Sequence, residues 1–158
     1  MNCAILCVGR LREKSFADAA EEYVKRISRF GKIEIMEVPD LPEPANASDA
    51  QRAQVMEKEG ESLLARLRPG DHPVALCIDA PQLTSEAFAA KVAQNDLRGG
   101  RLVFIIGGSL GLSPAVIRRA EDRLSLSRMT FPHQLARVLL LEQVYRACKI
   151  NAGERYHK

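Results

Sequence analysis

Phe104-Ile105-Ile106-Gly107-Gly108-Ser109-Leu110-Gly111-Leu112-Ser113-Pro114 is the stretch on which the fold turns. The apolar run that ends at Ile106 reads as a buried strand. The glycines make a turn, and Ser113-Pro114 supplies a helix N-cap followed by proline at the first helical position. In an open α/β sheet such a turn lies at the carboxyl end of a strand, where ligands bind and backbone amides approach them closely. The same residues also read as a plain strand-to-helix turn. The glycines fall at 107, 108 and 111, so the G-x-G-x-x-G dinucleotide fingerprint fails, and no Gly-Lys-Ser/Thr marks a nucleotide P-loop.

Outward from this unit, strand-like runs alternate with helical patterns. The strands are expected at Cys3–Val8, Lys32–Val38, Pro73–Asp79, Arg101–Ile106 and Leu126–Phe131. Such alternation predicts a parallel-rich α/β sheet covered on both faces. Ser15, with Asp18 three residues on, is expected to cap a first helix whose core stripe is Phe16, Ala20, Tyr23, Val24, Ile27 and Phe30. Leu41 to Asn46 is a loop. Ser48 and Gln51 form a capping box for a polar helix running to about Arg68, and Pro69-Gly70-Asp71 ends it. Thr84 or Ser85 caps a third helix, and Gln134–Ile150 is a long last one before Gly153. No repeat or linker interrupts the chain, which fits one domain over residues 1–158.

Composition narrows the class. An apolar fraction of 46% and a charged fraction of 27% are those of a soluble globular protein, and no window has the apolar length of a membrane helix. The start carries no basic leader before its short apolar run, so no signal peptide is expected. Cys3, Cys7, Cys77 and Cys148 contain no CxxC pair, and three of them lie in strand-like runs. Buried reduced thiols in a cytoplasmic protein are therefore expected, with no zinc site. From Leu112 onward nine Lys/Arg face four Asp/Glu, a net of +5 in a chain whose total is +3. A basic last third on a near-neutral body points toward a polyanion, or is simply solvated surface.

Two more segments carry chemistry. In Leu124 to His133, Met129 and Phe131 are placed to pack a flat purine, with backbone groups beside Ser127 and Thr130 for its edge; they read equally as alternate core residues. On the last helix Glu142 and Arg146 stand four apart and can pair. The ending Tyr156-His157-Lys158 sets an aromatic able to stack on a base beside groups that meet phosphate, unless it simply frays.

Taken together, these motifs resemble the RlmH family of SPOUT methyltransferases. The resemblance rests on Ile106-Gly107-Gly108 with Gly111-Leu112-Ser113, then Leu126-Ser127 through Thr130-Phe131-Pro132-His133. Arg137-Val138, Glu142-Gln143-Val144-Tyr145-Arg146-Ala147 and Tyr156-His157-Lys158 complete it, with Glu22-Tyr23 and the strand ending Val8-Gly9 in support. It implies an α/β knot whose C-terminal segment threads a deep trefoil, and a homodimer with the tail of one subunit completing the pocket of the other. It implies S-adenosylmethionine as cofactor, held by Leu76, Gly107, Leu126, Ser127, Arg128, Met129, Thr130 and Phe131. It also implies transfer to N3 of pseudouridine 1915 in helix 69 of 23S rRNA on assembled ribosomes, without a metal. Glu142, Arg146, Tyr156, His157 and Lys158 would surround the target nucleotide. The catalytic group would be His157, Tyr156 and Arg146, His157 being first choice for a base because histidine titrates nearest neutrality. Positioning and electrostatics without a dedicated base is the rival.

Two departures from the family pattern stand out. Many relatives have Gly-Gly-Pro-Glu-Gly where this chain has Gly107-Gly108-Ser109-Leu110-Gly111, and many end in Tyr-His-Arg rather than Tyr-His-Lys. The first puts side-chain contacts from that loop in doubt; the second keeps a cation but loses bidentate phosphate recognition. Two rival classes remain. A nucleotide-dependent oxidoreductase fits the α/β pattern but lacks the fingerprint, and a non-catalytic RNA- or ribosome-binding module fits the basic tail.

Overall fold

The order of elements follows the expected alternation, and the computed structural model describes residues 1–156. The strands are β1 (Asn2–Val8), β2 (Lys32–Val38), β3 (Asp71–Leu76), β4 (Arg101–Ile106) and β5 (Asp122–Leu124). The helices are α1 (Lys14–Ile27), α2 (Asp49–Leu64), α3 (Ser85–Arg98), α4 (Pro114–Arg119) and α5 (His133–Asn151). The strands form one sheet in the order β2-β1-β4-β3-β5, and every pairing is parallel. No helix among the described residues is long and apolar enough to cross a membrane.

Successive strand side chains point to opposite faces, and this divides the core in two. On one face Cys3, Ile5, Cys7, Phe104 and Ile106 pack with Ala20 and Ile27 of α1, Phe88 and Val92 of α3, and Leu140, Leu141 and Val144 of α5. On the other, Ala4, Leu6, Val8, Val103 and Ile105 meet Leu63 of α2 and Val116 of α4. With helices on both faces, β4 is buried along its whole length, which explains its unbroken apolar run. Burial pushes the Cys3 and Cys7 thiols up to about 12 and Cys148 to about 11, and all four cysteines are free, so the buried ones are uncharged packing groups.

The caps at Ser48 with Gln51, at Thr84 and at Ser113 form as expected, each side chain accepting from a backbone amide of the first turn. Four expectations need correction. β3 occupies Asp71–Leu76 rather than Pro73–Asp79, because after Leu76 the chain turns, with the Ala80 amide on the Cys77 carbonyl. β5 occupies Asp122–Leu124 rather than Leu126–Phe131. Its partner β3 stops at Leu76, so the register Leu76↔Leu124 is the last rung and only an isolated bridge, Gln82↔Ser125, follows. The polar helix α2 ends at Leu64, short of Arg68. The fourth is the cap of α1: the helix starts at Lys14 and Ser15 does not cap it. Ser15 lies inside the first turn, and the N-cap position is Glu13, which makes no side-chain cap hydrogen bond. Just ahead of the helix the side-chain oxygen of Gln134 in α5 accepts from the amides of Arg12 and Glu13, at 3.0 and 3.4 Å. An anchor contributed by a residue over a hundred positions away has no local signature.

Candidate functional site

A cavity of about 730 Å³ opens at the carboxyl ends of β3, β4 and β5, the end of a parallel sheet where ligands bind. Its wall comprises residues 76–78, the glycine turn 106–111, residues 124–127, residues 129–133 and Ala136. Leu76, Gly107, Leu126, Ser127, Met129, Thr130 and Phe131 therefore share one cavity. Arg128 does not: it borders a separate depression with Ile78, Asp79 and Gln82.

Local hydrogen bonds shape that wall. The Ser127 hydroxyl accepts from the Met129 amide at 3.0 Å, a turn that Ser forms readily. The Ser125 hydroxyl donates to the Ser127 carbonyl at 2.9 Å, and the amides of Ser125 and Cys77 donate to Pro81 and Leu124. Residues 124–129 are thereby fastened to residues 77–82, leaving Met129 72% exposed at the mouth. At the opposite wall Gly107 is required by the turn itself. A Cβ there would stand 2.6 Å from the carbonyl carbon and oxygen of Gly111. Gly111 takes φ +84°, a left-handed conformation that glycine adopts without strain. Behind the turn, a Cβ at Gly108 would press at 3.1 Å on a carboxylate oxygen of Glu59 in α2, and Glu59 is buried with a raised pKa caused first by burial.

The proposed target-side residues form a second cluster, on α5 and the tail. Arg146 grips Glu142 through two nitrogens at 3.1 and 2.6 Å. The Arg146 guanidinium lies 4.8 Å from the Tyr156 ring centre, and the Tyr156 hydroxyl donates to Glu142 at 3.4 Å. Burial, then the Glu142 charge, raises the Tyr156 pKa, so its phenol stays a donor; the bond to Glu142 raises Arg146. None of these three lines the 730 Å³ cavity. They join it indirectly: Ser85 donates to Gln143 at 3.0 Å and Gln143 to Glu142 at 2.7 Å. Gln143 also faces a smaller cavity of about 340 Å³ that shares Leu126 and Phe131 with the larger one. His157 and Lys158 lie outside the described residues.

Arg137 belongs to the motif Arg137-Val138 that carries the family resemblance but was given no contact or catalytic role from sequence, and among the described residues it is the largest side chain that is fully enclosed. It donates to Glu37 at 2.6 Å and to the Gly9 carbonyl at 2.8 Å, while its Nε meets no acceptor among the described residues. One turn earlier His133 lines the cavity, its pKa lowered first by burial and then by Arg137. A sequence signal existed: Arg137 falls on the stripe Leu141, Val144 and Cys148 at helical spacing, where a cation needs an enclosed partner. Among the described residues no group of His, Cys, Asp or Glu is arranged to hold a metal ion.

Comparison with known proteins places the chain in a family. The family profile described as predicted SPOUT methyltransferase matches residues 1–157. The chain is 57% identical to the ribosomal RNA large subunit methyltransferase H of Bifidobacterium animalis subsp. lactis strain AD011, over the full length of both. The protein of the same name from Lacticaseibacillus casei strain BL23 is 47% identical, again over both full lengths. Among solved structures, a probable methylase family protein from Haemophilus influenzae Rd KW20 superposes with a TM-score of 0.56 at 13% identity, covering 99% of this chain and 70% of that one. TrmJ from Z. mobilis ZM4 gives 0.51 at 15%, covering 92% and 68%. The two structures speak for the fold alone. On the full-length match and the sequence identities, the chain belongs to the SPOUT methyltransferases and, within them, to the RlmH family.

Proposed function

We propose that this protein is an S-adenosylmethionine-dependent methyltransferase of large-subunit ribosomal RNA, acting at N3 of pseudouridine 1915 in helix 69 on assembled ribosomes in the cytoplasm. The observation that carries the reading is the single cavity that joins the glycine turn after β4 to the serine-threonine loop before α5. Its volume lies within the roughly 300–1,000 Å³ usual for small-molecule sites. Leu76, Leu126, Met129 and Phe131 offer apolar faces for a purine, and Gly107, Ser127 and Thr130 offer backbone groups for its edge. Arg128, on a neighbouring depression, would serve at the periphery. S-adenosylmethionine supplies a methyl group on a positively charged sulfur, open to in-line attack.

The chain's own residues then have two tasks. One is to hold the target nitrogen in line and near van der Waals contact with the methyl carbon. Glu142, Arg146 and Tyr156 are suited to it, since their mutual bonds fix a cation, an acceptor and an aromatic face together. The other is to take the N3 proton. Tyr156 is held protonated and Arg146 is held cationic, which leaves His157 as the candidate base and Lys158 as a phosphate contact. In one chain the target-side cluster stands off the cavity wall, which favours a homodimer whose partner tail completes the target-base side of each pocket. The trefoil threading implied by the resemblance belongs to the same proposal.

Incubation with labelled S-adenosylmethionine and ribosomes lacking this modification, followed by mapping of the labelled nucleotide, tests the reading. Label at the helix 69 pseudouridine is expected. Ribosome binding without transfer would favour a non-catalytic ribosome-binding module instead.

A further inference from the structure

The loop between β1 and α1, residues 9–13, is outside the cavity wall, yet its backbone is held at several points. The Gly9 amide donates to the Val38 carbonyl at 2.8 Å, and the Gly9 carbonyl accepts from Arg137 at 2.8 Å. Gln134 accepts from the amides of Arg12 and Glu13. Gly9 takes φ +80°, and a Cβ on it would meet Nε2 of His133, a residue of the cavity wall, at 3.6 Å. In the sheet the register Cys7↔Ile106 sets this loop beside the glycine turn. The first turn of α5 therefore builds one wall of the cavity and clamps the loop to its rim.

What the loop offers to solvent is cationic. Arg10 is exposed and has no hydrogen bond or ion pair among the described residues. Arg12, its side chain 74% exposed, meets the half-exposed Asp40 at 3.4 Å. A surface pair of this kind contributes about 0–1 kcal/mol and is screened by salt, so a phosphate can displace Asp40. Glu13 and Asp40 keep the local net charge small, which suits contacts with individual phosphates rather than a broad basic face. Because the loop backbone is already ordered, little conformational entropy is lost when a ligand docks on it. A rim of fixed backbone bearing exposed arginines, next to a cavity sized for a methyl donor, has the chemistry to receive the backbone of the strand that carries the target base.

We infer that residues 9–13 are a docking surface for the RNA substrate, with Arg10 and Arg12 contacting its phosphates. The inference rests on the RNA methyltransferase reading and adds a surface that the tail and α5 do not supply.

The test compares wild-type protein with Arg10→Gln, Arg12→Gln and the double variant. Lys32→Gln, an exposed cation at the amino end of β2 and so at the opposite end of the sheet, controls for bulk charge. Sedimentation with unmodified ribosomes over a salt series measures association, methyl transfer gives KM and kcat, and calorimetry gives affinity for S-adenosylmethionine. The double variant is expected to raise the ribosome KM about tenfold and to flatten the slope of log K against log salt by about 0.7–0.9 for each phosphate no longer neutralised. Cofactor affinity should hold, and Lys32→Gln should behave as wild type. Unchanged ribosome KM and salt slope would overturn the inference, as would an equal effect in Lys32→Gln or a change confined to cofactor affinity. Weaker ribosome association in the variants, with no methyl transfer by wild type, would sustain the surface while refuting the enzymatic reading.

Discussion

Replacement of Arg137 by methionine probes the element that joins the sheet to the cavity. The guanidinium is fully enclosed and spans Glu37 of β2 and the Gly9 carbonyl at the end of β1. Removing one member of an enclosed ion pair costs about 3–5 kcal/mol when the survivor stays dry. Glu37 keeps 33% of its side chain exposed and can rehydrate, which brings that part down to about 2 kcal/mol. The orphaned Gly9 carbonyl adds about 1–3 kcal/mol. Methionine refills part of the volume, so a net loss of about 3–4 kcal/mol is expected, a large share of the roughly 5–15 kcal/mol that holds a domain together. Urea unfolding should show a lower midpoint with an unchanged slope, and the melting temperature should fall by roughly 6–16 °C. The double variant Arg137→Met with Glu37→Gln should recover about 1 kcal/mol or more, since the uncompensated carboxylate is gone. Because Arg137 holds the Gly9 carbonyl and with it the 9–13 loop at the cavity rim, affinity for S-adenosylmethionine should fall with stability. A single variant within about 1 kcal/mol of wild type would refute the idea that this buried cation holds the rim.

Gly107→Ala would drive a Cβ to 2.6 Å from the Gly111 carbonyl; the turn must open, and calorimetry should find cofactor binding weaker by about tenfold or more. His133 has a pKa lowered by burial, so the unfolded chain takes up its proton more readily than the folded one. Stability from this residue is therefore full above about 6.5, the ordinary histidine value, and declines as the pH drops below it; His133→Gln should flatten that part of a stability–pH curve. Deleting residues 156–158 should abolish methyl transfer while cofactor affinity changes little, because Tyr156 stands off the cavity wall; full activity of the truncated chain would remove the tail from the mechanism.

The fold was legible wherever the decisive forces are local or periodic. The unbroken apolar run of β4, the capping box at Ser48, the caps at Thr84 and Ser113 and the long stripe of α5 are properties of neighbouring residues, and they form where the sequence puts them. The glycine turn of the site was legible as well, because glycine and proline mark turns by their own backbone preferences, whereas the 126–131 segment was read as a strand and forms a loop. What tertiary structure alone decided are the relations between distant segments. The end of β3 at Leu76 moved the last strand forward to Asp122, since an edge strand extends only as far as its partner. The helix α1 starts at Lys14, which puts Ser15 inside its first turn, and Gln134 from the far end of the chain holds the amides that lead into it. Arg137 found Glu37 and Gly9 only when α5 crossed the carboxyl ends of β1 and β2. The cavity itself has the same origin: each loop carries its own turn chemistry, but only the parallel packing of β3 beside β4 sets Leu76, Gly107 and Thr130 around one space, since burial of apolar faces is non-directional and the sheet register supplies the direction.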